Sequence, residues 1–310
     1  MNKKVLSNFA LFLTALIWGV SFVAQKAGMD YVGAFSFNFA RSILGGISLI
    51  PLIFLVKMTT PDNRPKKLKH LQHWYLFKAG AFCGLALFTA MSLQQYSMIS
   101  ASAGKAGFIS ALYIIFVPLI SMFFGAKLEN KIKVSVGLAL VGLYLLCFKG
   151  GLTGFDMYDG LLLIGAFFYG VHILVVNHFS RHVNPVKMSC VQFFVVGLLS
   201  LPFMLMFENP VVANFVAAKT PILYAGILTC GVAYTLQIFG QKFTSPTIAS
   251  IILCMESVFA VVGGSLILHE TMTPREVWGC IFMIIAVVLS QIQMKNFKKG
   301  LTVCSQNNEE

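Results

Sequence analysis

Residues 104–125 read GKAGFISALYIIFVPLISMFFG and contain a single charged side chain, that of Lys105. A helix needs about 20 mostly apolar residues to cross the hydrocarbon core of a bilayer, and this stretch is long enough to do so. The apolar residues run continuously instead of alternating, which favours a helix over a strand of a membrane barrel. The stretch therefore predicts a membrane-spanning helix.

The composition of the whole chain resembles that of this stretch. Of its 310 residues, 57% are hydrophobic and 11% are charged, whereas soluble domains carry about 25% charged residues. We therefore expect ten membrane-spanning helices, joined by short connections that leave no room for a soluble domain. The predicted spans are residues 9–25, 33–56, 75–94, 104–126, 132–148, 158–178, 186–207, 220–240, 246–268 and 275–294.

The net charge of +12 carries information about topology. If the N-terminus is placed in the cytoplasm, most basic residues of the connections fall on the cytoplasmic side. Those that fall outside are Lys26, Lys149, Lys219 and Arg275. This asymmetry follows the positive-inside rule. It predicts a multi-pass protein of the cell membrane, of the bacterial inner-membrane type, with both termini cytoplasmic, and it argues against nucleic-acid binding.

An internal repeat organises the chain. The segment ALIWGVSF (15–22) resembles AFFYGVHI (166–173), so that Tyr169 falls 151 positions after Trp18. Three further matches keep the order: Pro51 with Pro202, FCG (82–84) with TCG (229–231), and Gly137 with Gly279. The spacing falls steadily along the chain, from 151 through 147 to 142, as expected when helices correspond and loops differ in length.

Each unit of this repeat holds five predicted spans, and five is an odd number. The second unit must therefore enter the membrane from the opposite side. Inverted repeats of this kind are a transporter architecture, in which two halves exchange conformations around a central site. We predict an all-α membrane protein of two inverted five-helix repeats, residues 9–148 and 158–294, followed by a polar cytoplasmic tail, 295–310.

Several segments resemble the EamA family of the drug/metabolite transporter (DMT) superfamily. The stretch 104–125 and GLALVGLYLL (137–146) are similar to the end of that family's first repeat, and residues 241–291 to the end of its second. ALIWGVSFVAQKAG (15–28) and FNFARSILGG (37–46) are similar to its first two spans. The resemblance covers nearly the whole chain. It implies ten helices, two repeats and carrier activity, often efflux of amino acids or other metabolites.

The chain departs from the family pattern in the ninth predicted span. The family often has Glu-Pro there, whereas here Glu256 is followed by Ser257. In the fourth span, Pro118 removes a backbone donor, so we expect a bend at that point. A carrier that relied on a proline bend in the ninth span would need another hinge.

The sequence has no enzyme signature. It contains neither HExxH nor GxSxG, and its glycine-rich segment 150–160 lacks the Lys-Ser/Thr of a phosphate loop. The seven cysteines form no CxxC motif and no Cys/His cluster with metal-ligand spacing. We therefore predict no catalysis, no cofactor and no metal.

Ionisable residues within a span are costly and mark functional candidates. Arg41 could anchor a substrate carboxylate through its planar guanidinium; the alternatives are a structural ion pair or a cap on backbone carbonyls. Glu256 could carry a proton that couples export to proton entry; the alternative is a permanent pair with Arg41 or Lys105. His172 is a second proton-coupling candidate, and the alternative is a hydrogen-bonded structural histidine.

Uncharged polar and aromatic side chains within the spans could complete a substrate site. A midplane cavity lined by aromatic groups and a few polar groups suits a small amphiphilic metabolite, although Trp and Tyr also form interfacial belts. The residues predicted to contact substrate beside Arg41 are Trp18, Gln25, Asn38, Gln94, Tyr113, Tyr234 and Gln237, with Ser21 and Gln192 in the same group.

The predicted function is secondary transport of small metabolites by alternating access. Efflux of amino acids or related metabolites, driven by protons, is the leading activity. A passive channel or facilitator, and a structural membrane protein without cargo, are open alternatives. The expected partners are a small-molecule substrate and the lipid bilayer, and the sequence leaves both a monomer and a homodimer open.

Overall fold

The computed structural model describes residues 3–59, 65–101, 103–147, 156–268 and 273–291, and each of these ranges is helical. The predicted tail, 295–310, lies outside the described residues. The helices of the first half are α1 Lys3–Gly28, α2 Ala34–Thr59, α3 Lys66–Ser97, α4 Ala103–Ala111, α5 Tyr113–Phe123 and α6 Asn130–Cys147.

The second half of the chain is also helical within the described residues. Its helices are α7 Met157–Ser180, α8 Pro185–Phe207, α9 Val212–Ala217, α10 Lys219–Leu223, α11 Tyr234–Gln241, α12 Pro246–Leu253, α13 Met255–Leu268 and α14 Pro274–Gln291. A π-helical segment, Tyr224–Ala233, joins α10 to α11. The three elements form one continuous helical run that is only partly α-helical.

Eight helical runs are long and apolar enough to cross a membrane. They are Lys3–Gly28, Ala34–Leu55, His70–Ser97, Lys105–Phe123, Met157–Ser180, Pro185–Phe207, Lys219–Gln241 and Pro274–Gln291. A ninth apolar run, Pro246–Val262, is shorter. The fifth predicted span, 132–148, coincides with α6, which carries Lys131 and Lys133 in its first turn and is not one of the eight. The protein is thus an all-helical, multi-pass membrane protein, and the count of ten spans stays a prediction.

The surface is more apolar than a water-facing surface would be. Large hydrophobic side chains are strongly exposed along the helices, among them Phe123 at 86%, Met58 at 82% and Phe124 at 81%. The interior, in contrast, buries many Ser, Thr, Asn and Gln side chains. This distribution suits a molecule whose outer surface faces hydrocarbon and whose polar groups lie inside the bundle.

Most of the extensive helix contacts join the first half to the second. Helix α2 packs along α8, and α6 packs along α14. Helix α3 packs on α7 and α8, while α1 packs on α13, α11 and the π-helical segment. Gly84 permits one such approach: a β-carbon there would lie 2.7 Å from Val195 Cβ and 2.9 Å from the Gln192 carbonyl oxygen. The two halves therefore interdigitate.

Two helices are interrupted at matching places. Leu112 separates α4 from α5, and Cys254, 142 positions later, separates α12 from α13. The interruptions lie against each other, because Cys254 Sγ donates to the Ala111 carbonyl oxygen at 3.4 Å. The interruption at Leu112 comes before Pro118, which lies inside α5. The ninth predicted span has its break at Cys254 although it lacks the family's proline.

Candidate functional site

A cavity lies between the two halves, next to the helix interruptions. Its walls come from α1, α2, α3, α4, α5, α7, the π-helical segment, α11 and α13. The residues that line it are Trp18, Ser21, Phe22, Gln25, Arg41, Met91, Gln94, Ser110, Tyr113, Tyr169, Thr229, Tyr234 and Glu256. The cavity is therefore largely aromatic, with one guanidinium and one carboxyl group.

Arg41 lies on α2 and is 2% exposed. Its guanidinium carbon sits 5.3 Å from the centre of the Phe37 ring, which supports it from one side by a cation–π contact. Within the described residues, its Nε and Nη2 atoms have no hydrogen-bond partner. Because an unsatisfied buried charge is costly, a ligand acceptor reaching these two donors would gain a strong, oriented interaction.

Glu256 lies in the first turn of α13, directly after the interruption at Cys254. It accepts a hydrogen bond from the Tyr113 hydroxyl at 3.1 Å, across from the start of α5. In the described part of the chain it forms no ion pair with Arg41, and Lys105 instead pairs with Asp159 at 2.7 Å. Neither of the permanent pairs considered for Glu256 is therefore present in this structure.

Aromatic rings form the floor of the cavity. Trp18 packs against Tyr234 with ring centroids 4.7 Å apart, and Phe193 packs edge-on against the same tyrosine at 5.2 Å. Tyr169 donates its hydroxyl proton to Gln94 Oε1 at 3.0 Å. Trp18 Nε1 has no hydrogen-bond partner in the ranges the structure covers, so this face offers a ligand both ring surface and a free donor.

Small polar side chains tie the cavity walls together. Ser21 Oγ accepts from Gln25 Nε2 at 3.2 Å and from Thr229 Oγ1 at 3.0 Å. Gln94 Nε2 donates to Ser110 Oγ at 2.8 Å. These bonds link α1 to the π-helical segment and α3 to α4. Among the described residues, no three His, Cys, Asp or Glu side chains come together in a way that could hold a metal ion.

Comparison with known proteins agrees with this architecture. A family model described as the EamA-like transporter family matches residues 5–148 and again residues 157–291. The chain belongs to the EamA-like transporter family. The two matches together cover most of the chain.

Curated relatives of this EamA protein carry the same general description. An uncharacterized transporter of Archaeoglobus fulgidus is 30% identical over 293 residues, which cover 94% of this chain and 88% of that protein. The uncharacterized inner membrane transporter YedA of Escherichia coli K12 is 24% identical, covering 90% and 89%. A solved crystal structure superimposes with a TM-score of 0.71 at 16% identity, covering 92% of this chain and 96% of that one, which shows a shared fold. This EamA protein is therefore a membrane protein of transporter type.

Four predicted site residues of this EamA protein, Asn38, Gln237, His172 and Gln192, lie outside the cavity lining. Asn38 and Gln237 are fully buried, and neither amide finds a hydrogen-bond partner in the described ranges. His172 Nε2 lies 3.2 Å from Gln192 Oε1, and its ring is 5.9 Å from that of Tyr234. The other predicted residues, Trp18, Gln25, Arg41, Gln94, Tyr113, Tyr234 and Glu256, all line the cavity.

The cavity also includes residues that sequence reasoning did not select. Tyr169 could have been found, because it falls on Trp18 in the internal repeat and Trp18 had been selected. Thr229 and Ser110 carry weaker signals, since hydroxyl side chains are common in membrane helices. Phe22 and Met91 carry none, because an apolar residue of a membrane span faces lipid as readily as a cavity.

Proposed function

We propose that this EamA protein is a secondary transporter that exports amino acids or related small metabolites by alternating access. One observation carries the proposal: Arg41 and Glu256 line the same cavity without pairing with each other. A zwitterionic solute would fit such a cavity, with its carboxylate at Arg41, its ammonium group at Glu256 and its body against the aromatic rings.

The proposed alternating access rests on two inverted repeats of five spans each. The contacts between the halves support this arrangement because they occur in matched pairs. Helix α7 of the second half corresponds to α1 of the first. The packing of α1 on α11 therefore corresponds to the packing of α7 on α3, and the packing of α1 on α13 corresponds to that of α7 on α5. The interruptions at Leu112 and Cys254 also correspond. Two halves with equivalent contacts can exchange conformations, and a central cavity then opens to one side or the other.

Glu256 is the favoured proton carrier in this proposal. It lines the cavity and, within the residues that the structure describes, its side chain accepts a hydrogen bond from Tyr113 alone, so cargo and proton can compete for its carboxylate. His172 is less suited, since it lies outside the lining with Gln192 as its partner. Export would then be driven by protons entering as cargo leaves.

The first test is the thermal stability of the purified protein against a panel of metabolites. A ligand at about 100 times its dissociation constant adds roughly 2.7 kcal/mol to the folded state. We expect carboxylate-bearing amino acids to raise the unfolding midpoint of the wild type and not that of Arg41→Ala. The matched control is Arg275→Ala, because Arg275 is remote from the cavity and donates to the exposed carbonyl of Tyr144 at 3.4 Å.

The control variant should respond to the panel as the wild type does. If the same compounds stabilise Arg41→Ala equally, Arg41 is structural and the proposed site is wrong. Counterflow in proteoliposomes then separates a carrier from a channel. Saturable uptake that is accelerated by cargo on the other side of the membrane supports a carrier, whereas flux that does not saturate supports a channel.

A further inference from the structure

A line of polar side chains leads from the cavity floor toward the opposite end of the bundle. Tyr234 contacts this line, since its ring lies 5.9 Å from that of His172 while it packs on Trp18 in the cavity. We call the line the polar file. Its members are His172, Gln192, Gln237, Gln241, Asn177 and Thr244.

Hydrogen bonds and helix geometry connect the members of the file. His172 Nε2 lies 3.2 Å from Gln192 Oε1. On α11, Tyr234, Gln237 and Gln241 are three and four residues apart and so share one face. That face meets α7 at His172 and again where Gln241 Nε2 donates to a backbone carbonyl at 3.0 Å. Gln237 therefore lies between two contacts with α7.

The file continues to a second cavity at the far end of the bundle. Asn177 Nδ2 donates to the carbonyl oxygens of Gln241 and Thr244 at 3.3 and 3.2 Å. Thr244 Oγ1 donates to Asn8 at 3.1 Å, and Asn8 Nδ2 donates to Gln291 Oε1 at 2.7 Å. Gln291 lines this second cavity together with Lys4, Ser245 and Ser290. Polar groups thus extend from the central cavity to this surface.

Several amide atoms of the file lack hydrogen-bond partners in the part of the chain that the structure describes. These atoms are Gln192 Nε2, Gln237 Nε2, Gln237 Oε1 and Gln241 Oε1, and all three residues are fully buried. A buried polar atom without a hydrogen-bond partner destabilises the folded state. Unsatisfied buried groups in a native structure need an explanation. A second conformation would provide it, because these atoms could then form hydrogen bonds with water or cargo.

The internal repeat gives the file a specific relation to the cavity. Gln192 follows Arg41 by 151 positions, and His172 follows Ser21 by the same number. Residues of the file thus occupy, in the second half, places that cavity residues occupy in the first. If the halves exchange conformations, the file is the segment that opens when the present cavity closes.

We propose that the polar file is the closed half of the substrate pathway and that Tyr234 separates it from the open half. The proposal rests on the proposed transport function. The file contains amides, a hydroxyl and an imidazole but no arginine, lysine or carboxylate. It therefore holds a zwitterionic solute more weakly than the cavity does, so that cargo entering from the end of the bundle that holds Lys4 passes through the file before it binds between Arg41 and Glu256.

The test compares the side of the membrane from which two positions can be reached. Gln25→Cys places a thiol in the cavity and Gln237→Cys places one in the file, each in the full chain. Right-side-out and inverted membrane vesicles are treated with a membrane-impermeant maleimide, and the added mass is compared with that of the unsubstituted protein. We expect Gln237→Cys to gain one reagent from the face opposite to the face that labels Gln25→Cys.

The matched control is Ile238→Cys, one position further along α11. Ile238 is fully buried and packs with Ala79 and Cys83 in an apolar cluster, so its thiol should stay unlabelled from both faces. The proposal fails if Gln237→Cys gains no more reagent than this control, or gains it from the face that labels Gln25→Cys. If Gln237→Cys does not fold, Thr244→Cys takes its place with the same expectations.

Labelling needs no cargo, and this separates the two hypotheses. Opposite-face labelling combined with no stabilising metabolite would support the pathway and reject the substrate class. A stabilising amino acid combined with an unlabelled file would support the substrate class and show that the file only holds α7, α8 and α11 together.

Discussion

At the scale of single residues, Arg41 and Glu256 share one feature: each is buried in the cavity wall without an ion-pair partner among the described residues. Both could be selected from the sequence, because a charge within an apolar span is expensive and calls for a reason. What the sequence could not show was the partner of each. The hydrogen bond from Tyr113 to Glu256 joins residues 143 positions apart, and no local pattern predicts it.

Replacing Glu256 by glutamine should remove the response of transport to a pH gradient. Glutamine keeps the size of the side chain and can accept from Tyr113, but it cannot exchange a proton. Cargo counterflow at equal pH should persist but with a higher half-saturating concentration, because the amide still accepts a hydrogen bond from the ammonium group of the cargo and no longer pairs with it as a charge. The measurement is cargo flux in proteoliposomes, with and without an imposed pH gradient.

Glu129→Gln serves as the control for this experiment. Glu129 is largely exposed and pairs with Lys131 at 2.9 Å, away from the cavity, so its replacement should leave the response to pH unchanged. A Glu256→Gln protein that still responds to the gradient as the wild type does would show that another group carries the proton.

The amide residues show that residue type alone does not identify the residues that line the cavity. Asn38 and Gln237 were chosen for the same reason as Gln25 and Gln94, as polar groups within apolar spans. A helix at the centre of a bundle has several buried faces, and residue type does not tell which of them meets a cavity. The structure places Asn38 and Gln237 on faces that pack between helices, outside the cavity lining.

At the scale of helices, the predicted bounds agree best with the structure where the span is uniformly apolar. The predicted spans 158–178 and 186–207 differ from α7 and α8 by at most two residues at either end. Helix α3 begins well before the predicted 75–94, since the charged segment after Pro65 continues the helix. The interruptions at Leu112 and Cys254 were not predicted, because they depend on contacts between distant segments and the local composition stays apolar.

Close helix packing makes a quantitative prediction for α6. A β-carbon on Gly142 would lie 2.8 Å from the Gly279 carbonyl oxygen and 2.9 Å from the Met283 nitrogen, both in α14. Because these are backbone atoms, Gly142→Ala should force α6 and α14 apart and lower the free energy of unfolding by about 1–3 kcal/mol. The measurement is the unfolding midpoint in detergent.

The same helix offers a matched control. A β-carbon on Gly137 would have no atom within 4 Å, so Gly137→Ala should be neutral or should stabilise the helix by about 0.5–1 kcal/mol. Equal midpoints for the two variants would mean that α6 and α14 do not pack as tightly as the structure has them.

At the scale of the whole molecule, composition was enough to predict a multi-pass helical protein, and the repeat was enough to propose two related halves. The position of the cavity was beyond sequence reasoning, because it depends on how the halves interdigitate. Helices α2 and α8, which are far apart in the chain, pack along each other, and Arg41 of α2 lines the same cavity as Glu256 of α13.

The proposed topology can be tested directly. Five spans in each half place both termini on the same side, and the positive-inside rule puts that side in the cytoplasm. A reporter that is active only in the cytoplasm should work when fused to either terminus and fail when inserted between residues 149 and 155. A terminus that reports from the outside would contradict the count of ten spans or the orientation.

The first half has Arg41 at the position where the second half has Gln192. The two faces of the molecule should therefore bind an anionic group with different affinities. A tenfold difference in affinity between the faces corresponds to about 1.4 kcal/mol. A carrier without an energy source cannot accumulate its cargo, so the maximal rate divided by the half-saturating concentration must then be equal in both directions. A lower half-saturating concentration on the Arg41 face has to be matched by a proportionally lower maximal rate there. Any departure from this equality measures the work that a coupled ion performs in each cycle.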